Sequence, residues 1–125
     1  MSKQTQWITV CNQQDLVADT GIAVWTEDGP VALFYLPDTE QQIFALSHYD
    51  PLGGANVLAR GIVGDIAGEP VVASPLYKQH FSLLDGRCLE EDGVTVASYP
   101  VRLKDGLVEL NLSQSQSQSQ QTAVA

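Results

Sequence analysis

Two cysteines, Cys11 and Cys88, and two histidines, His48 and His80, are all the thiol and imidazole groups in the chain. Neither cysteine has a second at the two- or three-residue spacing used by zinc and redox sites, and a zinc site needs three or four ligands. Both are therefore expected as buried free thiols. His48 reads as a solvated loop residue, and His80 as surface or part of a docking face. Ser74 with a histidine and an aspartate could be drawn as a hydrolase triad. There is no Gly-x-Ser-x-Gly elbow, however, and Pro75 lacks the backbone N–H that would help form an oxyanion hole. Gly53-Gly54 and Gly61-Ile62-Val63-Gly64 are not followed by the Lys-Ser/Thr of a phosphate loop. The carboxylates Asp15, Asp19, Glu27, Asp28, Glu90, Glu91 and Asp92 lack the spacing of a calcium loop and read as a solvated acidic surface. No catalytic residue and no metal ligand is assigned.

Positioning side chains over 125 residues requires one domain, which at this length buries enough surface to need no disulfide staple. Acidic residues outnumber basic ones 15 to 6, a formal charge of −9. That balance repels phosphate backbones and anionic lipid, so nucleic acid and membrane surfaces are not expected partners. No stretch approaches the ~18 apolar residues of a membrane span and no signal-like segment opens the chain, so a cytoplasmic location is expected.

Short apolar runs rich in Val, Ile and aromatic residues recur at residues 7–11, 22–25, 31–36, 43–46, 61–66, 71–73, 81–84, 94–97, 101–103 and 107–112. They predict strands. Between them stand turn signals such as Asp28-Gly29, Asp85-Gly86, Asp92-Gly93 and Asp105-Gly106, whose residues tolerate the positive φ angles of tight turns. The pattern predicts an all-β antiparallel sandwich or barrel with little helix; one helical turn is expected near residues 13–17, capped by Asn12 or Asp15. Residues 1–6 are expected to be a flexible N-terminus, residues 7–112 the domain, and the Ser/Gln-rich residues 113–125 a disordered tail.

The most informative stretches are Asp50-Pro51-Leu52-Gly53-Gly54-Ala55-Asn56-Val57-Leu58 and Ser74-Pro75-Leu76-Tyr77-Lys78-Gln79-His80-Phe81, the latter followed by Asp85-Gly86. Together they resemble the two apposed cluster-binding loops of Rieske-type iron–sulfur domains, Cys-Pro-His-x-Gly-Ala-x-x-Leu and Cys-Pro-x-His-Gly-x-x-Phe. Pro51, Gly54, Ala55, Leu58, Pro75 and Phe81 match the scaffold. The four ligand positions hold Asp50, Leu52, Ser74 and Tyr77 instead. A Rieske centre takes two thiolates and two imidazoles. Leu52 has no donor atom, and the other three offer hard oxygens unsuited to a sulfide cluster. The resemblance thus implies a Rieske-like fold without its cluster.

A ligand-free Rieske-like domain of this length resembles the small subunits of assimilatory NAD(P)H-dependent nitrite reductases, also through Leu58-Ala59-Arg60-Gly61 and Ala73-Ser74-Pro75-Leu76. That resemblance implies an oxidoreductase subunit of nitrate assimilation with no cofactor of its own. The implied partner is a large subunit carrying FAD, an iron–sulfur cluster and siroheme, which reduces nitrite to ammonium. The loop residues Tyr77, Lys78, Gln79 and His80 are candidates for docking it. The rival readings are a stand-alone Rieske-type electron-transfer ferredoxin and an unrelated β scaffold module.

Overall fold

A computed structural model describes residues 7–76 and 78–112. The expected flexible N-terminus, residues 1–6, the Ser/Gln-rich tail, residues 113–125, and Tyr77 lie outside the described residues. Among the described residues eleven strands form antiparallel sheets: β1 (Ile8–Asn12), β2 (Thr20–Thr26), β3 (Gly29–Tyr35), β4 (Ile43–Ser47), β5 (Tyr49–Asp50), β6 (Ala55–Asn56), β7 (Ile62–Ile66), β8 (Glu69–Ala73), β9 (His80–Ser82), β10 (Val101–Lys104) and β11 (Leu107–Leu110). They pair as β1-β11-β10, β2-β3-β4, β5-β6 and β7-β8-β9. The two helices described from end to end are single 3₁₀ turns, Gln13–Asp15 and Leu58–Arg60. The first is the expected helical turn, with the Asn12 N–H donating to Asp15 Oδ2 at 3.0 Å. No helix among the described residues is long and apolar enough to cross a membrane.

The central sheet explains why two sequence runs are apolar at every position instead of alternating. On β3 and β4, Ala32, Phe34, Phe44 and Leu46 point to one face, where they meet Leu58, Val72, Phe81 and Val96. Val31, Leu33, Ile43 and Ala45 point to the other, where they meet Val108 and Leu110. A strand buried on both faces has no side to give to water, so its pattern loses the period of two. The outer strands keep it: β11 alternates half-buried Leu107 and Glu109 with buried Val108 and Leu110.

Residues 94–97, expected as a strand, make none. Their β-branched side chains favour extended chain, but this stretch changes partners along its length. Val94 C=O accepts from Cys88 N–H, Val96 N–H donates to Gly86 O, and Ala97 C=O accepts from Ser47 N–H. It therefore carries only isolated bridges, Arg87 to Thr95 and, just beyond, Leu46 to Ser98.

Candidate functional site

The two loops that carry the Rieske-like pattern come together at one end of the molecule. The first leaves β5 at Asp50 and returns on β6, with Tyr49 opposite Asn56 and Asp50 opposite Ala55. The second leaves β8 after Ala73 and returns on β9, with Ser74 N–H donating to Gln79 O at 2.9 Å and Lys78 N–H to Ser74 O at 3.0 Å. Lys78 closes this turn at φ +64°.

Asp50 and Ser74 are both 1% exposed and are joined side chain to side chain across the loops. Asp50 Oδ1 accepts from the N–H of Leu52 at 2.9 Å and of Gly53 at 3.1 Å, while Oδ2 accepts from the Ser74 hydroxyl. Ser74 Oγ in turn accepts from Leu76 N–H at 3.2 Å. The result is a relay, Leu76 N–H to Ser74 O–H to the Asp50 carboxylate, in which each bond polarises the next and every buried polar atom is satisfied. Leu52 is half-buried and packs on the core cluster of the central sheet. Leu76 lies so close over Gly53 that a Cβ there would fall 2.3 Å from its Cδ1, so the two loop tips meet through this side chain.

These residues do not fit a [2Fe–2S] centre. The position of one expected histidine is an aliphatic side chain, and the two expected cysteines are oxygen groups hydrogen-bonded to one another. What the arrangement can do is hold two loops together. A cluster ligated from both sides would cross-link them, and the carboxylate–hydroxyl contact makes that link with hydrogen bonds.

His48 overturns its expectation as a solvated residue: it is 8% exposed. The 3₁₀ turn Leu58–Arg60 folds back over it. Ala59 N–H donates to His48 Nδ1 at 3.1 Å and Leu58 N–H to His48 O at 3.0 Å, while His48 N–H donates to Pro30 O at 3.2 Å. With Nδ1 accepting, Nε2 carries the ring proton. One residue thus ties β3, the end of β4 and the exit of the first loop. Burial of the ring, and then the nearby Arg60 guanidinium, hold its pKa below the usual 6.5. In that window the unfolded chain binds the proton more readily than the native one, so the ring's contribution to stability is complete above about pH 6.5 and is lost as the pH falls below it. Urea unfolding at pH 7.5 and 5.5 should show a loss at the lower pH that is reduced in His48→Asn, whose amide oxygen replaces Nδ1 without titrating there. Equal losses in the two proteins would remove this role.

Of the proposed docking residues, Lys78 is exposed and Gln79 and His80 are half-buried. Gln79 Oε1 is enclosed with no hydrogen-bond partner among the described residues. His80 is engaged by Glu90, a residue with no signal of its own in the sequence. The His80 N–H donates to Glu90 Oε1 at 2.7 Å, and ring Nδ1 lies 2.6 Å from Oε2. Burial raises the Glu90 carboxyl's pKa, but the hydrogen bonds and charge of His80 outweigh it and hold it below the usual carboxylate value. Cys88 is the buried free thiol expected, whereas Cys11 is only half-buried. Burial and Asp15 push the Cys11 pKa up, which keeps it a thiol and a poor nucleophile. Among the described residues no group of three or more His, Cys, Asp or Glu could hold a metal ion.

Comparison with known proteins agrees with this fold. The sequence profile of the Rieske-like [2Fe-2S] domain matches residues 6–111. The nitrite reductase (NADH) small subunit of Escherichia coli K12 is 42% identical over 85% of this chain and 97% of its own length. The solution structure of the E. coli protein NirD superposes with a TM-score of 0.76 at 41% identity, covering 84% of this chain and 94% of that one. The nitrite reductase [NAD(P)H] large subunit of Klebsiella oxytoca is 38% identical over 82% of this chain but over only 10% of itself, so a domain of this kind is part of that larger polypeptide.

Proposed function

The chain belongs to the Rieske-like [2Fe-2S] domain family, among the small subunits of nitrite reductase, and from that premise we propose that it is the non-catalytic small subunit of an NAD(P)H-dependent enzyme reducing nitrite to ammonium. The observation that carries this is 42% identity running through nearly the whole of a small subunit, together with two loops whose ligand positions hold Asp50, Leu52 and Ser74. Its partner is the large subunit, which supplies flavin, iron–sulfur cluster and siroheme. The Klebsiella polypeptide supports the pairing, because a homologous domain in the same chain as a large subunit has that subunit as its standing neighbour. The unit that docks is residues 7–112, with residues 1–6 and 113–125 as appendages, working in the cytoplasm.

The small subunit brings no redox group; it supports the large one by presenting a rigid loop end. Lys78 stands exposed at that end, beside Gln79 and His80, and we place Tyr77 with them at the contact.

The test is co-purification with the large subunit from the same cells, with nitrite-dependent NAD(P)H oxidation followed in extracts that contain or lack the small chain. Association and loss of nitrite reduction on its removal are expected. Tyr77→Ala with Lys78→Ala should weaken association while leaving the circular dichroism spectrum unchanged; unaltered binding would exclude the loop face. A purified chain that is coloured and holds stoichiometric iron would overturn the non-redox reading in favour of a ferredoxin.

A further inference from the structure

At the end of the sheets opposite the two loops runs an open groove of about 640 Å³, continuous with a second depression through Thr39, Gly68 and Pro70. It lies between the connection that follows β3 and the turn joining β7 to β8. Five residues of β8 separate this end from Ser74, roughly 16 Å of extended chain. Its apolar lining is Pro70 and Leu84, with the buried Phe44 beneath them and Thr39 and Gln41 beside them. Leu84 is 54% exposed, held beside Pro70 by the Leu83 N–H to Pro70 O bond of 2.9 Å. Its rim carries Glu40 on one side and Asp19 and Asp65 on the other. All three are exposed, and none makes an ion pair among the described residues.

We propose that this groove is a second docking site for the large subunit, and that it takes an apolar segment of that subunit flanked by lysine or arginine. The inference rests on the proposed function for the partner's identity and goes beyond it in placing a contact away from the loops. An apolar lining rewards burial of an aliphatic or aromatic side chain. Three uncompensated carboxylates around it select a cationic neighbour and reject an anionic one. They also reject a second copy of this chain, which carries a net charge of −9. The loop end differs in carrying exposed Lys78 and Arg60 beside the Glu90 that holds His80. Two ends that differ in charge in this way seat the domain in one direction, which gives the complex its orientation.

The experiment measures binding of the full chain to the cofactor-loaded large subunit from the same organism by biolayer interferometry at 50 and 300 mM NaCl. The wild-type Kd is expected to rise severalfold with salt. Glu40→Lys with Leu84→Lys should raise Kd at least tenfold at low salt and flatten the salt dependence, with the thermal melt unchanged. Glu27→Lys, an exposed carboxylate in the β2–β3 turn outside the groove and the loop residues, makes the same charge change as Glu40→Lys alone and should stay within twofold. Wild-type affinity in the groove variant, or equal weakening by Glu27→Lys, overturns the proposal while leaving the proposed function standing. A wild-type chain that binds no large subunit at all sinks both. Concentration-dependent dimerisation abolished by the groove variant would assign the groove to a second copy and also overturn it.

Discussion

Asp50→Ala is expected to destabilise the domain by about 3 kcal/mol, which for a single domain of this size is a large share of its total stability. The carboxylate is buried and receives three hydrogen bonds. Removing it strands the N–H groups of Leu52 and Gly53 and the hydroxyl of Ser74, and each buried polar group left unpaired costs on the order of 1–3 kcal/mol. Solvent entering the gap would return part of that. Ser74→Ala should cost less, about 1–2 kcal/mol, because Asp50 keeps its two backbone donors. Asp50→Asn should fall between, retaining an acceptor for those donors. Urea denaturation at pH 7.5 gives the ranking, and hydrogen exchange at Leu52, Gly53 and Leu76 locates it. Fast exchange confined to these amides in Asp50→Ala is the signature of loops that have parted. A variant within about 1 kcal/mol of wild type would show that the carboxylate does not hold them.

The loops themselves were legible in the sequence because their scaffold residues have fixed jobs: Pro51 and Pro75 follow the first position of each loop, and Gly54 adopts φ +73° in the turn. What the sequence could not show is that the substituted positions bond to each other. Asp50 and Ser74 are 24 residues apart, and their contact depends on how two sheets pack. The burial of His48 was hidden for a related reason. Its neighbours Ser47 and Tyr49 are polar or exposed, and its cover arrives 11 residues later in Ala59. A signal was nonetheless there: Phe44, Leu46 and His48 follow the period of two that puts all three on one face of β4 and its extension. The two-residue strands β5 and β6 are too short to show any period, and residues 94–97 have strand-forming side chains without a single partner strand. The groove left no trace in the sequence, since its acidic rim is drawn from three segments far apart in the chain, the turn at Asp19, the connection at Glu40 and strand β7 at Asp65.

Gly86→Ala should be nearly as damaging as Asp50→Ala, and more so than Gly53→Ala, although a Cβ at either glycine would collide with something. At Gly86 the backbone is at φ +82°, where an L side chain costs about 1–2 kcal/mol by itself. The new Cβ would also lie 2.1 Å from the carbonyl oxygen of Val96. That carbonyl cannot retreat easily. Val96 is buried in the core, its N–H donates to Gly86 O at 2.9 Å, and Gly86 N–H donates to Ser82 O at 2.8 Å. Backbone must therefore separate from backbone, giving a total of about 3 kcal/mol. At Gly53 the nearest obstacle is Leu76 Cδ1, the far end of a side chain that is 42% exposed and able to swing toward water, with Asp50 Oδ2 and Leu76 Cβ next at 3.2 Å. The cost there should be about 1 kcal/mol, since Leu76 gives up part of its apolar burial on leaving the loop tip. Urea denaturation of the two variants tests the order directly, and a Gly53→Ala protein less stable than Gly86→Ala would refute it. The consequence for assembly differs in kind: Gly86→Ala lowers the amount of folded subunit able to reach its partner, while Gly53→Ala leaves the chain folded and acts locally at the loop end, on Leu76 and on the Asp50 carboxylate beside it.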